Sequence, residues 1–484
     1  MTSAQPENTP AERAQSAKAQ RVRLMLLAAI VAVIAMSAVL YFKIEDRKSM
    51  KAAAAQGPES QAERALTEAD RAVVNQDFAQ ARQAFTRAAT ALDEALKGKG
   101  RDLKLLRIRM SVDDRLAYLD QREARLDWAV EHATAARDRA RAILTLSITD
   151  ERSRMDRLST AQRLREVLEK SERPVEARQA LFEAAEAVEA TLETLPPDQS
   201  TRVALSEAWQ GVAALGASGA EATKAHARAI AHAEEALKGA HEPIGALDHL
   251  YSVLSLALED SADARHGARL KRAIQVLRLR LELKAGDRAA RRALAGRLSQ
   301  QAKAREGAEA EALYGESITL RRALLEGAPD DGEARADLAV ALSQLARHHG
   351  AASADTKSRD AYAEAVEVAR PLKASHPDLL VKLLGSLAQV LGRMDEMVPS
   401  KAAAAEAWSL ASGRVDAEGD RTRLMAAVAA LRHARLLRAD PKPDKKGALK
   451  ITREGLDLVK GLQRQGGRSK KVKQGLETLL AELR

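Results

Sequence analysis

The chain has 484 residues, a formal net charge of +10 and no cysteine. Without cysteine it forms neither disulfides nor thiolate metal sites, whatever the redox state of its compartment. Hydrophobic residues make up 46% of the sequence and aromatic residues only 2%, so alanine and leucine carry the apolar content. The rest is rich in good helix formers, and outside one N-terminal segment no run alternates like a strand. We therefore predict an all-α fold.

An uncharged segment over residues 24–42 follows a polar tail over residues 1–23. As a helix it spans roughly 28 Å, close to the thickness of the hydrocarbon core of a bilayer. We predict a transmembrane helix here, followed by a linker over residues 43–60. The alternatives are a buried core helix and a signal peptide cleaved after Ala35-Met36-Ser37.

The positive charges on the two sides of this segment are balanced, because four Lys or Arg residues lie in residues 1–23 and four lie in residues 43–62. The positive-inside rule therefore favours neither side. We expect a signal anchor in a bacterial inner membrane, with the tail in the cytoplasm and the large domain on the periplasmic side. The alternative orientation leaves the large domain in the cytoplasm.

An internal repeat organises the remaining sequence. Residues 287–302 (DRAARRALAGRLSQQA) and 331–346 (DGEARADLAVALSQLA) lie 44 residues apart and agree at nine of sixteen positions without a gap. A fixed period of this length is typical of stacked helical repeats. Apolar anchor residues, each in a predicted helix followed by a polar break, continue the period at Ile230, Ile274, Ile318, Val366, Trp408 and Ile451.

These patterns predict an α-solenoid of about nine helical hairpins over residues 61–484. Ser60-x-x-Glu63 matches a capping box and is predicted to open the domain. Polar breaks such as Gly286-Asp287 and Pro377-Asp378 are predicted to separate its helices. The stretch Ala129–Leu144 fits the repeat poorly.

Two patterns resemble tetratricopeptide repeats. Leu342-x-x-Leu345-Ala346-x-x-His349 has the spacing of that family's first helix, and the stretch from Asp77 to Ala88 resembles its second half. Pro329 and Pro377 occupy the family's terminal-proline place. The chain departs from the family in its period, near 44 residues rather than 34, and in its missing aromatic positions. The resemblance is therefore to degenerate, long-helix relatives, and it implies a right-handed superhelix that binds peptides or proteins on its concave face.

No catalytic motif was found. Gly211-x-x-x-x-Gly216-Ala217-Ser218 has the glycine spacing of a P-loop, but alanine replaces the lysine that reaches the phosphates. The paired carboxylates Asp113-Asp114 and Asp330-Asp331 are interpreted as helix-capping groups. We therefore predict no enzymatic activity, no cofactor and no metal, and an enzyme built on a helical toroid is the weakest alternative.

The best histidine groupings are His348-His349 and His226 with His232. Neighbouring residues on a helix point about 100° apart, so His348 and His349 do not form a His-x-x-x-His metal pair. We predict that these histidines lie on the surface.

The basic final repeat, residues 441–484, has twelve Lys or Arg and five Asp or Glu, a net charge of +7. It is interpreted as a solvated cap, as a docking patch for acidic protein or anionic lipid, or as a nucleic-acid site. The shortage of aromatics for base stacking and the predicted anchor argue against nucleic acid.

We predict a membrane-anchored, non-catalytic scaffold for protein–protein interactions. Arg291 and Arg335 occupy equivalent repeat positions, and with Gln300 and Gln344 they are the polar residues predicted to contact a protein or peptide on the concave face. Two alternatives remain open: a structural helical rod or tether at the membrane, and a cytoplasm-facing regulatory adaptor.

Overall fold

The computed structural model describes residues 57–194, 197–215, 219–259, 265–415, 419–440, 442–462 and 466–484. The predicted tail and the predicted transmembrane segment, residues 24–42, lie outside these ranges, as does most of the predicted linker. Within these ranges no helix combines the length and the apolar content needed to cross a bilayer.

The described residues contain nineteen α-helices and no β-strand, which confirms the predicted all-α class. The chain divides into two compact units, Met1–Pro196 and Pro197–Arg484. The helices of the first unit are α1 (Pro58–Val74), α2 (Phe78–Leu96), α3 (Leu103–Arg122), α4 (Leu126–Leu146), α5 (Glu151–Lys170) and α6 (Pro174–Glu189). Those of the second are α7 (Gln199–Ala214), α8 (Gly219–Lys238), α9 (Pro243–Ala257), α10 (His266–Leu283), α11 (Arg288–Ala302), α12 (Gly307–Glu326), α13 (Gly332–Ala351), α14 (Asp355–Ala369), α15 (Pro377–Arg393), α16 (Met397–Ser412), α17 (Asp420–Ala439), α18 (Lys445–Lys460) and α19 (Gly467–Leu483).

Consecutive helices pack as hairpins, α1 with α2 and so on to α17 with α18. The first unit holds three hairpins, and the second holds six hairpins and the additional helix α19, in agreement with the predicted number of about nine. Every predicted apolar anchor falls in the second helix of its hairpin, from Ile230 in α8 to Ile451 in α18. The repeat register read from the sequence is therefore confirmed for the second unit.

The first helix begins earlier than predicted. Gly57 is the N-cap and Pro58 the first helical residue, where proline's fixed φ and missing N–H suit a helix start. Ser60 lies inside the helix and its Oγ accepts a hydrogen bond from Nη2 of Arg64 at 3.4 Å. The predicted capping box at Ser60 is therefore wrong.

Alanine allows the two helices of a hairpin to approach closely. The stretch Ala129–Leu144, which fits the repeat poorly by sequence, is the core of α4 and packs as the second helix of its hairpin. Its residues Ala129, Ala133, Ala136 and Ala140 are fully buried at spacings of three and four residues. This spacing places a single face of the helix against its neighbours. The small side chains of these alanines, rather than a family motif, define the repeat here.

Five hairpin turns share a feature that the sequence did not reveal. The middle residue of a three-residue link has a left-handed backbone, with φ between 57° and 60°, although it is not glycine. The next N–H donates to a carbonyl five residues earlier, as from Arg125 to Asp120 at 2.8 Å. This is the Schellman helix ending. The left-handed residues are Gln76, Ala124, Glu172, Ser353 and Asp395.

The predicted polar breaks coincide with helix starts. The Asp287 carboxylate accepts a hydrogen bond from the N–H of Ala290 at 3.0 Å, and the Asp331 carboxylate accepts one from that of Ala334 at 2.9 Å. Both hydrogen bonds hold the pKa of the carboxyl below its usual value. Such N-caps satisfy backbone donors that have no partner within the helix.

Many charged side chains form ion pairs between neighbouring hairpins. Arg272 pairs with Glu234 at 2.6 Å and Arg278 with Glu316 at 2.7 Å, in both cases across 38 residues. Each exposed pair contributes less than about 1 kcal/mol. Because their separations are close to the repeat period, these pairs link equivalent parts of adjacent hairpins.

Candidate binding surface on the first helices of the second unit

The first helices of the hairpins form a layer in the second unit. Close backbone contacts join α7 to α9, α13 to α15, α15 to α17 and α17 to α19, whereas in the described ranges no second helix approaches the next second helix comparably. Within these ranges no comparably close contact joins α11 to α9 or to α13, so on the first-helix side the short spacing holds for α7 with α9 and for α13 to α19. We call this side the first-helix surface.

Arg291 and Arg335 occupy identical local settings near the starts of α11 and α13. Nη2 of Arg291 donates to the carbonyl of Ala285 at 2.7 Å, and Nη2 of Arg335 donates to that of Pro329 at 2.6 Å. Each carbonyl lies six residues upstream, in the loop before the helix. Neither guanidinium forms an ion pair with a described carboxylate.

Gln300 and Gln344 lie nine residues further along the same helices, which corresponds to about 14 Å along a helix axis. Nε2 of Gln300 is 3.2 Å from Nε2 of His266, and its Oε1 accepts from Arg297 at 3.0 Å. Oε1 of Gln344 is buried without a hydrogen-bond partner in the described part of the chain. The four predicted residues therefore lie at two levels rather than at one site.

A recess of about 300 Å³ lies beside Gln344, between the end of α11 and the last turns of α13. Lys303, Arg305 and Arg347 supply its positive charge, and Tyr314 and His348 line it as well. The recess thus presents three positively charged side chains to acidic groups of a ligand, one of which, Arg305, already pairs with Glu309.

The walls of the recess are held by local contacts. The rings of Tyr314 and His348 lie 5.9 Å apart, and Nε2 of His348 is 3.2 Å from the carbonyl oxygen of Gly307. Burial raises the pKa of the Tyr314 hydroxyl. Arg305 pairs with Glu309 at 3.3 Å, and Nε of Arg347 donates to the Ser343 carbonyl at 3.4 Å.

Two histidines predicted to lie on the surface are buried. His349 is 6% exposed and His232 is 7% exposed. Each is on the packed face of its helix, where Ala346 and Ala229 lie three residues away on the same face. Burial is the main cause that lowers the pKa of His349. The surface prediction is therefore wrong for these two residues.

Asp113 does not cap a helix, contrary to the prediction. It lies in the middle of α3, is 1% exposed, and forms ion pairs with Arg109 and Arg139. Burial raises its pKa, and the two arginines oppose that effect. Asp114 pairs with Arg163 of α5 at 3.2 Å. These carboxylates therefore link neighbouring helices.

The glycine pattern near Gly211 lies in a helical setting. Gly211 is buried in α7, and α8 begins at Gly219, while Gly216, Ala217 and Ser218 lie outside the described residues. In the described ranges, no three His, Asp or Glu residues gather as a metal site would require.

The second unit is thus an array of antiparallel helical hairpins. No protein-family model matches the chain, and no curated protein matches it. Solved structures of similar architecture include a signal-transduction ATPase with numerous domains and a tetratricopeptide-repeat sensor, from Pyrococcus horikoshii. That match has 13% identity and a TM-score of 0.39, and covers 83% of this chain and 49% of the other.

Two further structures are similar. The C-terminal part of a tetratricopeptide-repeat protein from Cytophaga hutchinsonii has 14% identity and a TM-score of 0.34, covering 64% of this chain and 98% of the other. A tetratricopeptide-repeat protein from Parabacteroides merdae has 10% identity and a TM-score of 0.31, and the match covers 66% of this chain and 98% of the other.

Proposed function

We propose that the chain is a non-catalytic scaffold that binds a partner protein or peptide along the first-helix surface of its second unit. The observation that carries the proposal is the close contact between successive first helices at both ends of the second unit, which the second helices lack in the described ranges. A stack whose first helices lie closer together than its second helices curves towards the first helices, and we infer that this side is the concave one. A concave surface built from repeated modules gathers affinity from many small contacts.

The chemistry of this surface favours acidic segments of a partner. Arg291 and Arg335 are each held by one hydrogen bond to a loop carbonyl and lack a carboxylate partner in the described ranges. Guanidinium groups oriented in this way bind carboxylates with little further loss of side-chain entropy. The recess beside Gln344 adds three cations at the other end of the same helices. A partner that reaches both levels extends over about 14 Å.

We also propose that residues 24–42 anchor the scaffold in a membrane, with the helical domain on the periplasmic side. The support comes from the sequence, in which nineteen consecutive uncharged residues match the thickness of a bilayer. Full-length protein is expected to remain with membranes after alkaline carbonate washing, whereas a chain starting at Gly57 is expected to leave them. Recovery of mature protein that begins near Ala38 would instead identify a cleaved signal peptide.

Photocrosslinking tests the binding surface directly. A photoreactive residue at Arg347, an exposed residue of the recess, is expected to crosslink a defined protein partner in intact cells. The same residue at Leu279, 41% exposed on the second helix α10, serves as the matched control. Equal crosslinking from both positions would contradict the proposed surface, and no crosslink from either would favour a structural rod.

The arginine pair is tested separately. The Arg291→Ala, Arg335→Ala double variant is expected to lose the crosslink at Arg347 while its helicity and melting temperature stay close to those of the parent. A retained crosslink would exclude these arginines from the partner site. A large fall in melting temperature would show that their hydrogen bonds to the loops are mainly structural.

A further inference from the structure

A second cavity lies in the C-terminal part of the second unit. It has a volume of about 90 Å³ and is formed by α15, α16 and α17, with one residue from the first turn of α19. Its charged lining residues are Lys382, Arg432 and Arg468, while Met425 and Val428 contribute apolar walls. Among the described residues, no carboxylate lines it. The cavity is therefore large enough for a small chemical group, and its electrostatic potential is strongly positive.

Arg432 is the central cation of this cavity. Its Nη1 lies 2.5 Å from the position that a Cβ atom would take on Gly385, so the guanidinium lies against the backbone of α15. Burial lowers the pKa of Arg432, and the charge of Arg468 lowers it further. A buried cation next to another cation is unfavourable unless an anion joins them.

The absence of a counter-ion distinguishes this site from its surroundings. Nearby arginines are neutralised by described carboxylates, as in Arg370 with Glu406 at 2.6 Å and Arg414 with Asp378 at 2.9 Å. In contrast, Lys382, Arg432 and Arg468 have no ion pair or hydrogen-bond partner for their side chains in the described part of the chain. Three cations thus converge on one cavity without a protein carboxylate.

The first turn of α19 adds to the positive potential. Its N-cap is Gly466, which has no side chain to satisfy the helix's free N–H groups, and no acidic residue lies in the first turn. The positive end of the helix dipole therefore lies beside Arg468. Ser386, a further lining residue, forms a side-chain hydrogen bond with Tyr362.

We propose that this cavity binds a phosphoryl group, either as inorganic phosphate or as a phosphomonoester. A dianion balances three converging cations better than a single carboxylate does, and guanidinium groups match its oxygens with paired hydrogen bonds. The inference goes beyond the scaffold function, because it concerns a different group of helices and needs no protein partner.

The test uses the purified full-length chain and inorganic phosphate at pH 7.5, with ionic strength held constant by sodium chloride. Isothermal titration calorimetry is expected to show saturable binding of one phosphate. Acetate at the same ionic strength is the control for a carboxylate site. Absence of saturable phosphate binding, or binding of acetate as tight as that of phosphate, would overturn the proposal.

Variants locate the bound anion. Arg432→Gln and Arg468→Gln are each expected to weaken phosphate binding by about 10- to 100-fold, the loss typical of a charge-assisted hydrogen bond. Arg435→Gln removes the same charge from an exposed position one turn further along α17 and is expected to change affinity less than twofold. If Arg435→Gln weakens binding as much as Arg468→Gln, the binding is non-specific and the proposal fails. Because Arg468 is exposed, its variant remains informative even if Arg432→Gln unfolds.

O-Phosphoserine distinguishes the two sources of the phosphoryl group. Tighter binding than inorganic phosphate assigns a monoester, and weaker binding assigns the free anion, while binding of neither overturns the site. These titrations contain no partner protein. Failure to crosslink a partner through Arg347 would therefore leave their result unchanged.

Discussion

The guanidinium of Arg432 lies directly against Gly385, 2.5 Å from the position that a Cβ atom would occupy there. Glycine inside a helix costs about 1 kcal/mol relative to alanine, and Gly385 is a buried residue of α15. The space that its missing side chain leaves is filled by Arg432. The glycine therefore lets an unpaired cation approach the backbone beside a cavity.

Gly385→Ala is expected to displace the Arg432 guanidinium and to lower phosphate affinity about tenfold, with little change in melting temperature. The clash is with the end of a flexible side chain, so its relief costs little stability. Gly296→Ala in α11 is the control, because no atom lies within 4 Å of its Cβ position. The control should gain about 0.5–1 kcal/mol in unfolding free energy and keep the parent's phosphate affinity. Unchanged phosphate affinity in Gly385→Ala would show that this glycine does not contribute to the anion site.

Ala124→Gly is expected to stabilise the first unit by about 1 kcal/mol. Ala124 has φ of 57°, a conformation that is strained for residues with a Cβ atom and free of strain for glycine. Ala135→Gly in the middle of α4 is the control, where glycine should destabilise by about 1 kcal/mol. Urea unfolding followed by circular dichroism measures both. Destabilisation of similar size in the two variants would contradict the left-handed turn.

Helix class, hairpin number and register were predictable because they depend on spacing along the chain. The 44-residue period predicts equivalent helical positions for Ile274 and Ile318, and both lie in second helices, while Asp287 and Asp331 at the predicted breaks are N-caps. The turns that end the first helices were missed. Their left-handed residues are Ala, Gln, Glu, Ser and Asp rather than glycine, so composition gives no signal.

The candidate sites were only partly predictable, because they depend on which side chains find partners in three dimensions. The sequence predicts Gln344 as a contact residue because it is polar and lies at a repeat position, and Gln344 does line the recess. The predicted contact residues do not include its neighbours Lys303 and Arg347. Nothing in the sequence distinguishes the unpaired Arg432 from the ion-paired Arg370, since the partner of the latter lies 36 residues away.

Leu342→Asp is expected to destabilise the second unit by about 3–5 kcal/mol, because it places an unpaired charge where the leucine is 2% exposed. Val340→Asp is the matched control on the same helix, since Val340 is 38% exposed and should tolerate the charge within about 0.5 kcal/mol. Leu298, at the equivalent position of the preceding repeat, should behave like Leu342. A parent-like melting curve for Leu342→Asp would show that the repeat register is wrong.

The second unit is expected to lose stability as pH falls from 7 towards 5. Burial lowers the pKa of His249, His349 and His433 below 6.5. The unfolded chain therefore binds protons at a higher pH than the folded chain, and each histidine contributes a loss of up to about 1.4 kcal/mol per pH unit below its unfolded pKa. The triple variant with glutamine at these positions should show a smaller difference between melting temperatures at pH 7 and pH 5. An equal difference in parent and variant would exclude the histidines as the cause.

Arg157→Met is expected to stabilise the first unit by about 1–3 kcal/mol. Arg157 is 2% exposed in α5, and its Nε and Nη1 are buried without hydrogen-bond partners in the described residues. Burial is the main cause that lowers its pKa to about 10, and this lowering corresponds to about 3 kcal/mol against the charged form. Methionine fills similar space without the charge, and replacing buried ionic groups by apolar ones often stabilises a fold.

Arg152→Met, at an exposed position of the same helix, controls for the change in net charge and should alter stability by less than about 0.5 kcal/mol. The pH dependence gives a second check. Because the folded pKa of Arg157 is below the unfolded one, the penalty is complete below pH 10 and is relieved as pH rises above about 10 towards the unfolded pKa. The advantage of Arg157→Met in urea unfolding should therefore be full at pH 8 and smaller at pH 10.5. A variant less stable than the parent at pH 8 would show that the buried guanidinium supports the fold.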